Sequence, residues 1–270
     1  MKVRFWGVRG SFPTPEMDRL RYGGNTTCLE IGTSDSQDPV IIDGGSGIRA
    51  LGDEIQARSV SRIHILLSHF HWDHIQGLPS FAPLFHTGAE ITIYANRPTL
   101  ETCLLLAAQM ADPYFPVTFG ALGAQIEFKQ IECEKEFAIG SLKVEPFLLN
   151  HPQGAVGFRI ESEARVVVHA SDHEAGVAEI DAGLVRAARG ADLLVMDAQY
   201  TPQEYESKIG WGHSSYAHAT HAAHAAGVKQ LMLIHHDPGH DDNFLDHMQA
   251  DAQKCFGATE MARERAIFDV

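Results

Sequence analysis

The chain has 270 residues, 44% hydrophobic and 21% charged, a balance that excludes a disordered or fibrous protein and allows a sizeable buried core. Its 35 acidic and 21 basic residues give a formal charge of −14, which argues against a surface that coats nucleic acid, because such binding needs many Lys and Arg side chains to neutralise phosphates. Cys28, Cys103, Cys133 and Cys255 are scattered, no signal-like core follows Met1–Phe5 and no apolar run is long enough to span a bilayer, so reduced thiols and a cytoplasmic location are expected.

In chain order, strand-like runs lie near 2–7, 27–32 and 39–42, and a helix-like pattern follows at 47–57. A strand near 63–67 and another at 91–94 come next, then a helix over 98–111 and strands at 125–129, 142–148, 156–161 and 165–170. The last third reads as a helix at 177–189, a strand at 192–196, a helix at 214–226, a strand at 230–234 and a helix at 243–256. No low-complexity linker divides the chain, so one domain over 1–270 is expected. The strands fall into two groups with helices between them, which suits two sheets packed together with helices outside. Periodicity alone does not select that layout from other α/β folds.

The densest chemistry is in His69-Phe70-His71-Trp72-Asp73-His74. The apolar run Ile63–Ser68 before it reads as a buried strand, so His69, His71, Asp73 and His74 emerge together in the turn at its end. Neighbouring imidazoles in such a turn cannot all face one ion; two can serve one metal while Asp73 and His74 serve a second. The alternative is that His and Asp are simply common in loops. Asp43 follows Val40-Ile41-Ile42 and precedes Gly44-Gly45; it either orients a ligand from outside the metal's own shell or forms a turn. His151 follows the strand pattern 142–149, Asp172 follows Arg165–Ser171, and His235 ends Gln230–Ile234. Taken singly, these are a loop histidine, a helix N-cap and a strand-end histidine. Trp211-Gly212-His213-Ser214-Ser215 opens the 214–226 helix, either as a Gly-rich turn with a serine cap or with His213 facing a site. His218, His221 and His224 recur at helical spacing, and an exposed alanine-rich helix explains them more simply than a metal face does. His236 and His240 are either outer partners or exposed, and Asp241 suits a cap on the last helix.

Two more segments join these, Phe5-Trp6-Gly7-Val8-Arg9-Gly10-Ser11 and Tyr22-Gly23-Gly24-Asn25-Thr26-Thr27-Cys28. With them, from about residue 2 to residue 245, the chain resembles the metallo-β-lactamase superfamily, in the branch of ribonuclease Z and the cyclic-phosphate phosphodiesterases. The resemblance implies a four-layer αββα sandwich. It assigns His69, His71 and His151 to one metal, Asp73, His74 and His235 to a second, and Asp172 to a bridge between them. Asp43 would support the site without binding metal. His213 matches the His-Ser-Thr segment of ribonuclease Z, with Ser215 in the threonine's place, and Asp197 stands where that family has a glutamate behind the same histidine. The shorter Asp197 leaves a direct bond to His213 open. Flavodiiron members carry a carboxylate where this chain has His71, which points to hydrolysis and not redox chemistry.

The nitrogen and oxygen donors suit Zn²⁺, with Mn²⁺ or Fe²⁺ as alternatives, and two ions about 3.5–4 Å apart can hold a hydroxide and clamp a phosphoryl group. The implied activity is a dinuclear metal-dependent phosphodiesterase, with Asp73 orienting the attacking oxygen and His213 stabilising charge or protonating the leaving oxygen. The flexible basic arm with which ribonuclease Z grips tRNA is missing. Together with the −14 charge, that favours a small, cyclic diester such as a cyclic nucleotide or a ribose cyclic phosphate over folded RNA. RNA 3′-end cleavage is the alternative, and a non-catalytic sensor of the same fold is the third reading. No membrane partner is expected, and there is room for a homo-oligomer. The stretch Asp112–Phe119, aromatic and stiffened by proline, either roofs a pocket or packs as a core connection.

Overall fold

The computed structural model describes residues 1–33 and 36–270. Its strands are β1 (Lys2–Gly7), β2 (Cys28–Gly32), β3 (Val40–Ile42), β4 (Arg62–Leu67), β5 (Glu90–Ala95), β6 (Gln125–Gln130), β7 (Phe137–Ile139), β8 (Leu142–Leu149), β9 (Ala155–Ser162), β10 (Arg165–Ala170), β11 (Leu193–Asp197), β12 (Gln230–Ile234), β13 (Thr259–Met261) and β14 (Ile267–Asp269). The helices are α1 (Ile48–Ala57), α2 (Trp72–Ile75), α3 (Thr99–Ala108), α4 (Ala178–Ala188), α5 (Pro202–Tyr205), α6 (Tyr216–Ala226) and α7 (Asp242–Cys255). Two seven-stranded sheets form, in the orders β14-β1-β2-β3-β4-β5-β6 and β13-β12-β11-β10-β9-β8-β7. Among the described residues no helix is long and apolar enough to cross a membrane.

The apolar runs are continuous because both faces of each sheet are covered. Val40 and Ile42 face an inter-sheet core with Phe5, Phe158, Val167, Val195 and Met232. Between them, Ile41 points the other way, into an outer core with α1 residues Ile48, Leu51 and Ile55. In β11, Leu193 and Val195 face the inter-sheet core while Leu194 and Met196 pack under α4, α6 and α7. The result is helix, sheet, sheet, helix, the expected αββα sandwich.

The sequence reading misses β7, β13 and β14, edge strands of three residues each, too short to show a period. It also misses α2 and α5, single turns of four residues. One expectation is corrected. Helix α6 is not an exposed helix, because Ala219, Thr220, Ala222, Ala223 and Ala226 are buried in the outer core while its histidines turn outward. His218 closes a capping box with Ser215, and His224 Nε2 donates to the Cys255 carbonyl at 2.7 Å. Asp241 caps α7 as expected, accepting from Phe244 N at 2.7 Å.

Strands β3, β4 and β5 run parallel, as do β10, β11 and β12, so their carboxyl ends share one rim of the sandwich, where ligand sites of such sheets lie. The two loops that leave β3 and β4 are laced together. Gly44 N donates to the His74 carbonyl at 2.7 Å, and Gly77 N to the Gly44 carbonyl at 2.9 Å. A Cβ at Gly45 would sit 2.3 Å from the Asp73 carbonyl oxygen, and one at Gly77 would sit 2.1 Å from the Gly45 carbonyl oxygen. These contacts are with backbone, which cannot swing aside.

Gly45→Ala is therefore expected to lower the unfolding free energy by about 1–3 kcal/mol, read from urea denaturation. Gly120→Ala, where an added Cβ meets nothing within 4 Å, is the control. Equal midpoints for the two variants would remove the close-packing argument.

Candidate metal centre

The site residues lie at or just beyond strand ends, with Asp73 and His74 on the short turn α2 that follows β4. Asp43 follows β3, His69 follows β4, His151 follows β8, Asp172 follows β10 and His235 follows β12. Asp43, Asp172 and His235 have positive φ, at 62°, 61° and 66°. That left-handed backbone is costly for non-glycine residues, so the surrounding contacts must hold it.

The donor atoms of His69, His71 and His151 lie within 4.8 Å of one another, and so do those of Asp73, His74, Asp172 and His235. Asp172 stands between the two groups. Its Oδ1 is 3.8 Å from His69 Nε2, 3.6 Å from His151 Nε2 and 3.4 Å from His235 Nε2, while Oδ2 is 3.1 Å from His74 Nε2. The structure brings all seven sequence-predicted ligands together.

The second ring nitrogen of every imidazole is engaged elsewhere. His69 Nδ1 meets Ser68 Oγ at 3.0 Å, and that hydroxyl donates to Asp43 Oδ2 at 2.8 Å. His74 Nδ1 donates to Asp43 Oδ2 at 2.8 Å. His151 Nδ1 donates to the Gly212 carbonyl at 2.8 Å, and His235 Nδ1 to Gln199 Oε1 at 3.2 Å. His71 is turned the other way round, with Nε2 on Gln153 Oε1 at 2.7 Å and Nδ1 3.0 Å from His151 Nε2. Such outer partners fix the tautomer and present the lone pair of the remaining nitrogen. The inward Nε2 atoms of His69 and His74 are buried with no hydrogen-bond partner. Orphan lone pairs beside buried carboxylates fit divalent cations, and the nitrogen and oxygen donors suit zinc-type ions.

Asp43 thus acts as the outer support that the alternatives allowed. Its Oδ1 also accepts from Ser68 N at 2.8 Å. Ser68, Gln153 and Gln199 were missed, since a serine or glutamine near a ligand carries no signal by itself. The N-terminal motif also gains a physical role. Ser11 N donates to Asp73 Oδ2 at 2.8 Å, and a Cβ at Gly10 would lie 2.2 Å from His235 Nδ1.

His213 lies beside the cluster, its ring stacked on that of His235 at 4.7 Å and tilted 60° to that of His151 at 5.2 Å. Its Nδ1 donates to Asp197 Oδ2 at 2.8 Å, so the shorter carboxylate does reach. Asp197 also accepts from the backbone N–H groups of Asp172, Gln199 and Ser214 at 3.0–3.2 Å. Glu174, passed over in the sequence, holds the preceding loop by accepting from Gly210 N and Gly212 N at 2.6 and 2.7 Å. His173 stays outside the cluster, with Nε2 on Asp181 at 3.0 Å. His236 donates to the Ala262 carbonyl and His240 to Glu204, so neither joins the ligands. In the 112–119 stretch no residue is buried: Phe119 packs on Phe128, Phe115 and Val117 are half-buried and Tyr114 is 81% exposed, which makes it a surface segment and not a connection packed in the core. Phe12, Trp72 and Trp211, neighbours in sequence of Ser11, His71 and Gly212, are exposed aromatics. A larger cavity of ≈ 670 Å³, lined by Arg4, Glu30, Arg58 and Val270, contains none of the cluster. Donor chemistry, not cavity size, selects the site.

Burial alone would strip the proton from His235, but Asp172, Asp73 and Asp197 outweigh it and lift its pKa to about 9. Burial likewise opposes the charged form of His74, which Asp172, Asp73 and Asp43 raise well above the ordinary value. Asp172 is held well below its ordinary value by His235, His74 and His69, against the effect of burial. Without metal, protons on His74 and His235 balance the carboxylates, while burial holds His69 and His151 below the ordinary imidazole value; a cation would replace those protons. The raised folded-state pKa of His235 means its stabilising contribution is fully present below 6.5 and is lost as pH rises through about 9. The metal-free protein is expected to lose thermal stability between those pH values, whereas the zinc-loaded protein should not. Parallel Tm profiles for both forms across that window would refute the charge-balance account.

Comparisons with known proteins agree with this geometry. A family model described as "Beta-lactamase superfamily domain" matches residues 39–236. Ribonuclease BN of Citrobacter koseri is 26% identical over 257 residues, covering 76% of this chain and 81% of that protein. The metallo-β-lactamase fold protein YhfI of Bacillus subtilis superimposes with a TM-score of 0.75 at 18% identity, covering 99% of this chain and 98% of the other. A diphosphatase of the PhnP family superimposes with a TM-score of 0.69 at 18% identity, covering 100% and 97%. A family match across well over half of the residues, on an αββα sandwich with a His/Asp cluster at its rim, means that the chain belongs to the β-lactamase superfamily of metallo-hydrolase folds.

Proposed function

We propose that the protein is a dinuclear metal-dependent phosphodiesterase that hydrolyses a small diester, with cyclic phosphates of nucleosides or ribose as the best-suited class. The observation that carries this reading is the His213–Asp197 pair, bonded at 2.8 Å and set against His235 and His151 without joining either ligand group. His69, His71 and His151 would hold one ion and Asp73, His74 and His235 the other, with Asp172 shared. Divalent ions in this position supply Lewis acidity toward a phosphoryl oxygen and activation of water; Zn²⁺ is the ion of choice for these donors.

The chain's own groups account for the remaining steps. Asp73 has one oxygen fixed by Ser11 N and His235, which leaves the other to orient the attacking water. Asp197 fixes His213 with Nδ1 as donor, so Nε2 is the nitrogen free to work. Protonated, that Nε2 hands its proton to the leaving oxygen as the P–O ester bond breaks, and Asp197 stabilises the imidazolium from behind. If it keeps the proton, it stabilises the charge on the phosphoryl oxygens.

The likeness to ribonuclease BN over 76% of this chain favours a second reading, RNA cleavage. The net charge of −14 and the missing basic arm weigh against it.

His213→Ala is expected to retain about two zinc ions per chain and to lose about 10²–10⁴-fold in turnover of unactivated diesters. The loss should shrink with bis(p-nitrophenyl) phosphate if His213 supplies the leaving-group proton. Normal metal content with wild-type turnover would reduce His213 to a turn residue. For substrate class, 2′,3′- and 3′,5′-cyclic nucleotides should be cleaved with higher kcat/KM than pre-tRNA at physiological salt. Efficient, site-selective pre-tRNA cleavage would replace the proposal with the ribonuclease reading.

A further inference from the structure

A cavity of ≈ 310 Å³ opens on the His69–His71 side of the cluster and is lined in part by His69, Phe70, Asn96, Arg97, Glu101 and Gln153. It shares a wall with the ligands. His69 lines it and also points Nε2 into the cluster, while Gln153 lines it and holds His71 at 2.7 Å. A group seated there would be attached to a phosphorus held at the metals. The volume is at the small end of ligand pockets, enough for one nucleoside-sized group and too small for folded RNA.

The lining says which group. The Arg97 guanidinium lies 5.7 Å from the centre of the Phe70 ring, and Arg97 Nη1 pairs with Glu101 Oε1 at 2.6 Å. Glu101 cancels the charge of Arg97, so a second phosphate would enter a neutral pocket that gives it no net attraction. An uncharged ring suits the site better, because the outer face of the Arg97 guanidinium plane, which itself covers Phe70, accepts a stacked heterocycle. Two carboxamides are placed to read its edge. Gln153 has Oε1 committed to His71 and its amide N–H groups uncommitted, while Asn96 has only a weak contact from Nδ2 to Cys133 Sγ at 3.8 Å. A donor and an acceptor beside a stacking face match the hydrogen-bonding edge of a base, and they match a bare sugar poorly.

We infer that this cavity is the subsite for a nucleobase, and that the substrate is a nucleoside phosphodiester and not a base-free sugar phosphate. The inference rests on the phosphodiesterase reading for the chemistry, but the subsite can be tested apart from it.

With zinc-loaded protein, the comparison is kcat/KM for a nucleoside 2′,3′-cyclic phosphate against methyl riboside 2′,3′-cyclic phosphate, which lacks the base. The base should raise kcat/KM by about 10–100-fold, the range of one stacking contact. Arg97→Ala and Asn96→Ala should shrink that ratio, through KM more than kcat, with the zinc content unchanged. Phe70→Leu, next to the ligands in sequence, is the third variant and is read only with its zinc content. Calorimetric titration of AMP and of ribose 5-phosphate into the same proteins gives a readout free of turnover: AMP should bind more tightly, and Arg97→Ala should remove the difference. Cleavage of both cyclic esters at equal rates overturns the subsite and leaves the phosphodiesterase reading standing. Base-dependent binding without cleavage of any diester supports the subsite and overturns the phosphodiesterase reading. Equal binding of AMP and ribose 5-phosphate overturns the subsite whatever the activity.

Discussion

Everything at the rim of the sandwich depends on one electrostatic constraint. Four carboxylates, Asp43, Asp73, Asp172 and Asp197, are between 0% and 6% exposed and stand within 4 Å of five histidines, His69, His74, His151, His213 and His235. Buried charge is tolerated only when it is paired and hydrogen-bonded. Asp43 meets that demand entirely from the protein, through the Ser68 N–H, the Ser68 hydroxyl and His74, and Asp197 does so through three backbone N–H groups and His213. Asp73 and Asp172 do not, for their remaining partners are the inward nitrogens of His69, His74, His151 and His235. The division is chemical. Carboxylates saturated by the protein are free to orient histidines, and carboxylates left short of partners are the ones a cation completes.

The division also explains why His213 differs from the histidines beside it. Its Nδ1 is committed to Asp197, just as His74 Nδ1 is committed to Asp43. His74 Nε2, however, lies 3.1 Å from Asp172 and 3.3 Å from Asp73, whereas His213 approaches Asp172 only with the same Nδ1, at 3.9 Å. His213 does lie within 4.8 Å of the donors of Asp172, Asp197 and His235, but it meets both carboxylates through Nδ1, which leaves Nε2 uncommitted. It stays available to exchange a proton with something that is not part of the protein. The aspartate at 197 reaches because His213 and Ser214 follow Gly212, whose φ of 90° and lack of a Cβ let the loop press onto His151.

Much of this was legible in the sequence, and the reasons are specific. A His/Asp cluster built from strand ends appears in the chain as an apolar run followed by His or Asp, and that signature recurs at residues 43, 69, 151, 172 and 235. The family resemblance then turned single candidates into a set, which residue chemistry alone left as loop histidines and possible caps. The outer contacts were not legible. Gln153 and Gln199 act by one carbonyl oxygen each, and any nearby backbone carbonyl does the same work at His151, so no residue type announces the role. The edge strands were invisible for another reason: three residues show no alternation, and β13 and β14 are defined by partners more than 25 residues away in β12 and β1. Helix α6 was misjudged because alanine buries well without looking hydrophobic, and the histidines between the alanines drew the eye to the wrong face.

The N-terminal segment shows how far the site's support extends. Arg9 is fully buried, and burial pulls its pKa down, yet among the described residues no carboxylate forms an ion pair with it. It donates instead to the carbonyl oxygens of Gly23, Asp237 and His240. A charged group held by carbonyls gains less than one held by a carboxylate, so the return must lie in what the carbonyls belong to. Two of them are in the loop that leaves His235, and the third is in the turn that closes over the same edge. Gly10 N adds a bond to the His236 carbonyl, and His236 N returns one to Val8. The left-handed backbone at His235 is thereby clamped from β1, at the far end of the chain, and the flat Gly10 lies directly under the His235 ring. The Gly-Val-Arg-Gly-Ser motif therefore belongs to the His/Asp cluster as much as the histidines do: it contributes no donor to either group, but it holds one ligand candidate, His235, in a strained backbone and gives a second, Asp73, its backbone hydrogen bond.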